Sequence, residues 1–526
     1  MSELRSRFLP VLGAACLALA AGAAEAQTLR VMQNIDAPHH DVQRSTWGPT
    51  GTIGNMVQST LVALDWDGTT TLPYLAKSWE LSADGRTYTF KLRDDVTFCS
   101  GKKFTAQDVV YTFTRLRSAE TKGPFAWRAG EIKELRALDA HTVAYELTEP
   151  YSDLLTQLAM FTNNIINQET VEALGKEYGV KGIDGTGPWC LESWQPRTET
   201  LLRRNEAYKW GPSMFKNPGP VKFQRLSLRI VPEESSRVAA MLGGQFDFTW
   251  SFPSTFIPQA KASPNLLVEE ITGANQLLYF GYKASRPMVA DARVREAMNI
   301  AINRAAIATG VLLGQATPSF TYVQPNALDY SAKSAGIIRE DIERAKRLLD
   351  EAGWKVGSDG MREKDGVRLA PRVYFTAGAN SVKVGEAIQG LLRPIGIDWR
   401  LNAWDSTIAM IKMAEQDYEI WSVTVPYISA GDLMALYFDS RNIPTPNRMN
   451  WRDKQTDDWL ALGKGALTAA DRAKYFGLVQ QRVTQEHLWM PIANMTMHVV
   501  SNKRIKNVRG HPLYAIGFYK GLDFTP

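Results

Sequence analysis

The sequence predicts an α/β fold, and three observations carry that expectation. Short alternating strand patterns recur, helices with one apolar stripe lie between them, and no long single-type stretch or internal repeat interrupts the mixture. The 526 residues are 44% hydrophobic and 22% charged, which are globular proportions with room for more than one core.

The elements follow in order. Thr87 to Arg93 (TYTFKLR) places Tyr88, Phe90 and Leu92 on one face, the mark of a half-buried strand. His141 to Leu147 repeats the pattern with Val143, Tyr145 and Leu147. Between them, Thr105 is placed to cap a helix beginning TAQDVVYTF. Asp291 opens a helix whose stripe is Val294, Ala297, Met298, Ala301 and Ile302, with Arg293 and Arg295 expected in solvent. A further helix carries Ile342, Ala345, Leu348, Leu349 and Ala352, and Gly353 stops it in the left-handed conformation.

Charge and cysteine content exclude several classes. Sixty Lys and Arg against 55 Asp and Glu leave a net charge of +5, with no concentrated basic face to suit nucleic acid. Three cysteines are too few for a disulfide scaffold or a multi-cysteine zinc ribbon.

The N-terminus reads as an export signal. Arg5 and Arg7 precede an apolar run, and Ala24-Glu25-Ala26 forms an A-x-A site, so cleavage is expected after Ala26. Leu9 to Ala24 spans 16 residues, short of the roughly 20 a membrane helix needs. With no later apolar run of that length, the mature chain is expected to be exported and not inserted in a membrane. Export leaves Cys99 and Cys190 as the mature cysteines. In an oxidising compartment they suggest a disulfide closing a loop of roughly 90 residues, with two buried free thiols as the alternative.

Enzyme signatures are scarce. H-E-x-x-H, G-x-S-x-G, the P-loop and the dinucleotide glycine motif are all absent. Ser100-Gly101-Lys102-Lys103 fits the S-x-x-K of a penicillin-recognising hydrolase, but K-T-G and S-D-N are missing. His39-His40-Asp41 is chemically suited to a metal, yet adjacent residues seldom converge on one ion, and the other histidines lack ligand spacing. No catalytic residue, cofactor or metal site is therefore expected.

One resemblance covers nearly the whole mature chain. The run Leu92 to Val109 (LRDDVTFCSGKKFTAQDV) looks like a signature of the extracellular solute-binding proteins of peptide/nickel/opine-type ABC importers, family 5. In collinear order follow or flank it Leu72 to Glu80 (LPYLAKSWE), Gly185 to Trp189 (GTGPW), Asn205 to Trp210 (NEAYKW) and Gly244 to Asp247 (GQFD). Asp291 to Ala297 with Ala301 to Arg304, Ala345 to Trp354 (AKRLLDEAGW) and Gly396-Ile397 complete the set.

The resemblance implies a two-lobed periplasmic binding protein of type 2, with a hinge between its lobes and an extra subdomain in the first. Lobe I would take 27–270, its extra subdomain about 75–190; lobe II would take 275–480, and 481–526 would return to lobe I. The implied role is to capture a peptide-like or other small organic solute in the cleft and deliver it to an inner-membrane permease, as a periplasmic monomer. The resemblance places Thr46, Trp47 and Gly48 near the cleft from one side, and Trp404 through Tyr427, including Trp421, from the other. Gly48 would allow a backbone amide close to the ligand.

At one point the sequence departs from the peptide-binding members. Those that grip a free amino group carry an aspartate just before the tyrosine; here that residue is Pro426, which offers no acceptor side chain. Asp432 is a substitute acceptor or else the cap of the helix DLMALYF. An opine, a sugar-linked compound or an oligosaccharide stacking on tryptophan fits as well as a modified peptide. Two other classes remain to be separated: a hydrolase acting through Ser100, and a periplasmic chaperone using the same cleft on unfolded chains.

Overall fold

The structure, a computed structural model, describes residues 28–271, 276–422, 427–512 and 520–526. The expected signal segment 1–26 and Pro426 lie outside the described residues.

The fold is α/β with two lobes, each built on its own sheet. The first sheet has seven strands in the order Leu266–Ile271, Met497–Asn502, Phe248–Thr249, Thr28–Gln33, Arg225–Ile230, Glu199–Arg204, Trp189–Gln195. Thr28–Gln33 pairs in parallel with both of its neighbours and is the centre of this sheet. The second sheet has six strands in the order Ala316–Pro318, Trp489–Met495, Leu277–Tyr282, Ile420–Ser422, Arg372–Thr376, Arg400–Trp404. A separate four-stranded antiparallel sheet, Ala76–Leu81, Thr87–Leu92, Thr142–Leu147 and Ile132–Asp139, lies beside the first lobe. Tyr88, Phe90 and Leu92 face Val143, Tyr145 and Leu147 inside it, because period-two alternation sends all six side chains to the same buried side.

The strand pairing moves one boundary. The chain was expected to return to lobe I at 481, but Trp489–Met495 pairs with Leu277–Tyr282 and with Ala316–Pro318, so it belongs to the second sheet. The crossing falls at Thr496, since Met497–Asn502 pairs with Leu266–Ile271 in the first sheet. The apolar strand Trp489–Met495 is buried along its first five residues, which only a central sheet position provides.

The helices form where the patterns predict, with two corrections. Asp291 accepts from the Arg293 backbone N–H at 2.9 Å and opens the helix Ala292–Ile300. Arg293 is exposed, but Arg295 is 2% exposed rather than solvated. Its guanidinium donates to the carbonyls of Glu486, Val289 and Ala290 and pairs with the Glu486 carboxylate at 3.3 Å. A planar cation with five donors is tolerated in the interior when backbone carbonyls surround it. The second correction is Asp432, taken up below. Cys99 and Cys190 are bonded to each other, with Cα atoms 5.8 Å apart, and tie the turn after Thr87–Leu92 to an edge strand of the first sheet.

Candidate functional site

A cavity of about 940 Å³ opens between the lobes and takes its wall from both. On the first-lobe side, Ser45 to Pro49 lead into the helix Gly48–Val57. Thr46 and Gly48 line the cavity; Trp47 is 44% exposed and lies off the wall. A Cβ at Gly48 would meet no protein atom within 4 Å, so the wall is open there. One turn on, a Cβ at Gly51 would come within 2.8 Å of the Phe161 ring, so the missing side chain is what seats Phe161 against the helix and in the wall.

Arg128 is the buried cation of this wall. It lies in the short turn Ala126–Ala129, is 6% exposed, and its guanidinium carbon sits 4.5 Å from the Trp127 ring centre and 5.1 Å from that of Phe125. One nitrogen donates to Gln157 Oε1, and the same nitrogen is 3.5 Å from Asp432 Oδ2. The wall around it is aromatic, with Tyr151, Phe161 and Phe476 among its residues, as suits an enclosed site for an organic solute.

From the second lobe come Tyr427 and Asp432. Tyr427 is 2% exposed; its hydroxyl accepts from the Gln324 backbone N–H at 2.8 Å, which fixes the ring while its edge lines the cavity. Asp432 does not start the helix Ala430–Phe438. Ser429 does, its hydroxyl accepting the Asp432 N–H at 2.9 Å, while Asp432 Oδ2 accepts the Ile428 N–H at 3.1 Å. The helix begins three residues earlier than a cap at Asp432 would have it, which moves Asp432 into the first turn and onto the cavity wall.

The two tryptophans do not join them. Trp421 is fully buried, packed edge-on to Tyr279 at 5.5 Å and under the Arg448 guanidinium at 5.3 Å. Trp404 is half-buried against Tyr374, ring centres 4.8 Å apart, and is off the cavity wall. Thus Thr46, Gly48, Tyr427 and Asp432 are brought together, while Trp47, Trp404 and Trp421 are not.

Sequence reasoning missed Arg128, Tyr151, Asp153 and Phe161. The signal for Asp153 was an aspartate preceding the apolar run LLTQLA, which reads as an ordinary helix cap. It stands at that position before Leu154–Leu158, yet its side chain makes no capping bond there. Instead Asp153 Oδ2 accepts from the Ser429 hydroxyl of the other lobe at 2.8 Å, and its Oδ1 has no hydrogen-bond partner. Burial pushes its carboxyl up to about 6, against the pull of Arg472 and of the Ser429 bond.

The other sequence candidates are elsewhere. The Ser100 hydroxyl donates to Asp184 Oδ2 at 2.6 Å, and neither residue lines the cavity. His40 is buried against Trp194, ring centres 4.5 Å apart. Among the described residues no group of three His, Cys, Asp or Glu could hold a metal ion, and no helix is long and apolar enough to cross a membrane.

Two sheets joined by a double crossing, with a cavity walled by both lobes, define a solute-binding protein. Residues 70–444 match the family of bacterial extracellular solute-binding proteins, family 5, and the chain belongs to that family. Its members are binding proteins. The chain is 25% identical over 480 residues to the nickel-binding periplasmic protein of Escherichia coli K12, covering 87% of each chain. It is also 25% identical over 544 residues to di/tripeptide-binding protein 1 of Pseudomonas aeruginosa, covering 98% of each. The solved structure of NikA from Brucella suis in complex with Fe(III)-EDTA superposes with a TM-score of 0.83 at 22% identity, over 95% of this chain and 99% of that one.

Proposed function

We propose that the protein is the periplasmic solute-binding component of an ABC importer and encloses a small organic solute, peptide-like or related, in the cavity between its lobes. The observation that carries this is the shared wall: Gly48, Arg128 and Phe161 from one lobe face Tyr427 and Asp432 from the other, so a ligand touching both would hold the cleft shut. The family relationship supports delivery to an inner-membrane permease, export by the Ala24-Glu25-Ala26 signal, and oxidation of Cys99 and Cys190 after export. Lobe I is read as 28–271 plus 497–526 and lobe II as 277–495, working as a monomer.

The wall chemistry narrows the ligand. Aromatic faces dominate, Arg128 offers donors, and Asp432 and Asp153 offer acceptors. That set suits a compact, partly aromatic or apolar solute carrying both acceptor and donor groups, and it supplies acidic groups for an amino terminus from positions other than 426. A metal chelate with protein histidines is not supported by this wall.

A thermal-shift panel on protein stripped of ligand by unfolding and refolding tests the reading. A ligand at 100 times its Kd stabilises by about 2.7 kcal/mol, a visible rise in Tm. Free peptides, amino-blocked peptides, opines and oligosaccharides form the arms. Silence in every arm, with the protein folded, rejects the cavity as a solute site of this kind.

A further inference from the structure

The Tyr151-Ser152-Asp153 segment is a tongue of the first lobe lodged in the second. The Ser152 N–H donates to the Lys464 carbonyl at 2.8 Å, and its hydroxyl donates to the Gly463 carbonyl at 2.9 Å. Arg472, paired with Asp329 at 2.7 Å, also donates to the Ser152 carbonyl at 3.1 Å. Asp153 follows, 3% exposed, with Oδ2 on the Ser429 hydroxyl that caps the helix Ala430–Phe438. A Cβ at Gly431 would come within 2.7 Å of that same oxygen, so the carboxyl group rests directly on the first turn of the helix. The partners of the Ser152 backbone and hydroxyl and of Asp153 Oδ2 belong to the second lobe, while the Tyr151 and Asp153 carbonyls accept from Leu154 and Gln157 of the first and hold the tongue to it. Opening the cleft must break the bonds of Ser152 and Asp153 to the second lobe and return the Asp153 carboxyl to water.

We propose that Asp153 is a positioning residue for solute capture, a latch that fastens the first lobe onto the helix Ala430–Phe438 and takes up a proton as the lobes close. The closed arrangement surrounds the carboxyl with unequal charge. Asp432 in the first turn of the capped helix and Asp329 beyond Arg472 oppose its ionised form, while Arg472 and the Ser429 hydroxyl favour it; Arg128 and Lys464 are the cations beside the neighbouring Tyr151. The orphaned Oδ1 leaves the ionised form one bond short. In the closed form the carboxyl is pushed up to about 6, against an ordinary value of 3.8 in the solvated open form. The closed form therefore binds more protons between those values, and closure strengthens as pH falls through 6. From pH 7.5 to pH 5 the ratio of closed to open should rise about tenfold.

The latch goes beyond the proposed function and is tested without any solute, so the two fail separately. The experiment is small-angle X-ray scattering of the ligand-free mature protein at pH 7.5 and pH 5, for wild type, Asp153→Asn and Ser429→Ala. The radius of gyration of wild type should fall on acidification, and that of Asp153→Asn, neutral and nearly isosteric, should not change. Ser429→Ala, which removes a hydrogen bond that holds the ionised carboxyl in the closed form, should be more open than wild type at pH 7.5 and contract further on acidification; it also serves should Asp153→Asn fail to fold. A wild type that does not contract overturns the latch, as does an Asp153→Asn variant that contracts with it, or a Ser429→Ala variant no more open than wild type at pH 7.5.

Discussion

Trp421 lies flat against the backbone of Gly281, its partner in the register between Leu277–Tyr282 and Ile420–Ser422, and a Cβ at Gly281 would come within 2.7 Å of the indole. The glycine is a slot cut for a large ring, in a core where Tyr279 and Trp489 also stack, 3.9 Å between ring centres. Gly281→Ala should cost about 1–3 kcal/mol by overpacking, and Trp421→Ala about 3–5 kcal/mol by leaving a cavity. Urea unfolding midpoints check both. A Gly281→Ala midpoint equal to wild type would show that Trp421 has room to move and is not locked in the core.

That pair also marks where the sequence stops being informative. Alternation and apolar stripes located the strands at 87–92 and 142–147 and the helices at 106–116, 292–300 and 342–351, because burial on one face leaves a period in the chain itself. Collinear motifs indicated the two lobes. What was not legible depends on contacts between distant segments. Trp404 and Trp421 read alike as aromatic wall, and only the slot at Gly281 and the contact with Tyr374 show that one is a core ring and the other packs off the cavity. Arg295 reads as a surface arginine until three backbone carbonyls from two segments converge on it. Asp153 reads as a local cap, and its true partner, Ser429, is 276 residues away.

The Cys99–Cys190 bond spans 91 residues of sequence. A cross-link closing a loop of that length removes about 4–5 kcal/mol of denatured-state entropy in the chain-entropy account. Cys99→Ser/Cys190→Ser should melt well below oxidised wild type, and wild type unfolded and refolded with reductant should match the double variant. Equal melting of oxidised wild type and double variant would mean that the bridge is absent or energetically idle.

Acid should destabilise the fold through three histidines. His40, His487 and His511 are each pushed down to about 4, burial being the largest cause. Unfolded, each takes a proton near 6.5, so the unfolded chain binds more protons between pH 6.5 and 4. The stability these neutral rings contribute is complete above 6.5 and falls as pH drops to 4, by up to about 3 kcal/mol each. Asp153 has the opposite sign, because its raised carboxyl holds a proton in the fold that the unfolded chain releases, and it offsets about one histidine. Urea midpoints at pH 7, 5.5 and 4.5 should decline, and His487→Gln should flatten the decline. A profile flat down to pH 4.5 would contradict the burial of neutral rings.

The site itself is best probed where a side chain can be added rather than removed, since deleting Arg128 would also strand Asp432. Gly48 offers that position. It begins the helix Gly48–Val57, its φ lies outside the left-handed region, and an added Cβ meets nothing within 4 Å apart from its chain neighbours, of which Pro49 adds a modest cost. Gly48→Leu should therefore leave the ligand-free Tm within the small range of a surface substitution, about 0.5 kcal/mol, while its branched end occupies space facing Tyr427 and Asp432. Whichever solute raises the wild-type Tm should lose most of that effect, a weakening of tenfold or more corresponding to about 1.4 kcal/mol. Gly51→Ala provides the contrast, because its Cβ strikes the Phe161 ring and the loss should be in the ligand-free Tm as well. A Gly48→Leu variant that binds as tightly as wild type would place the solute away from this wall.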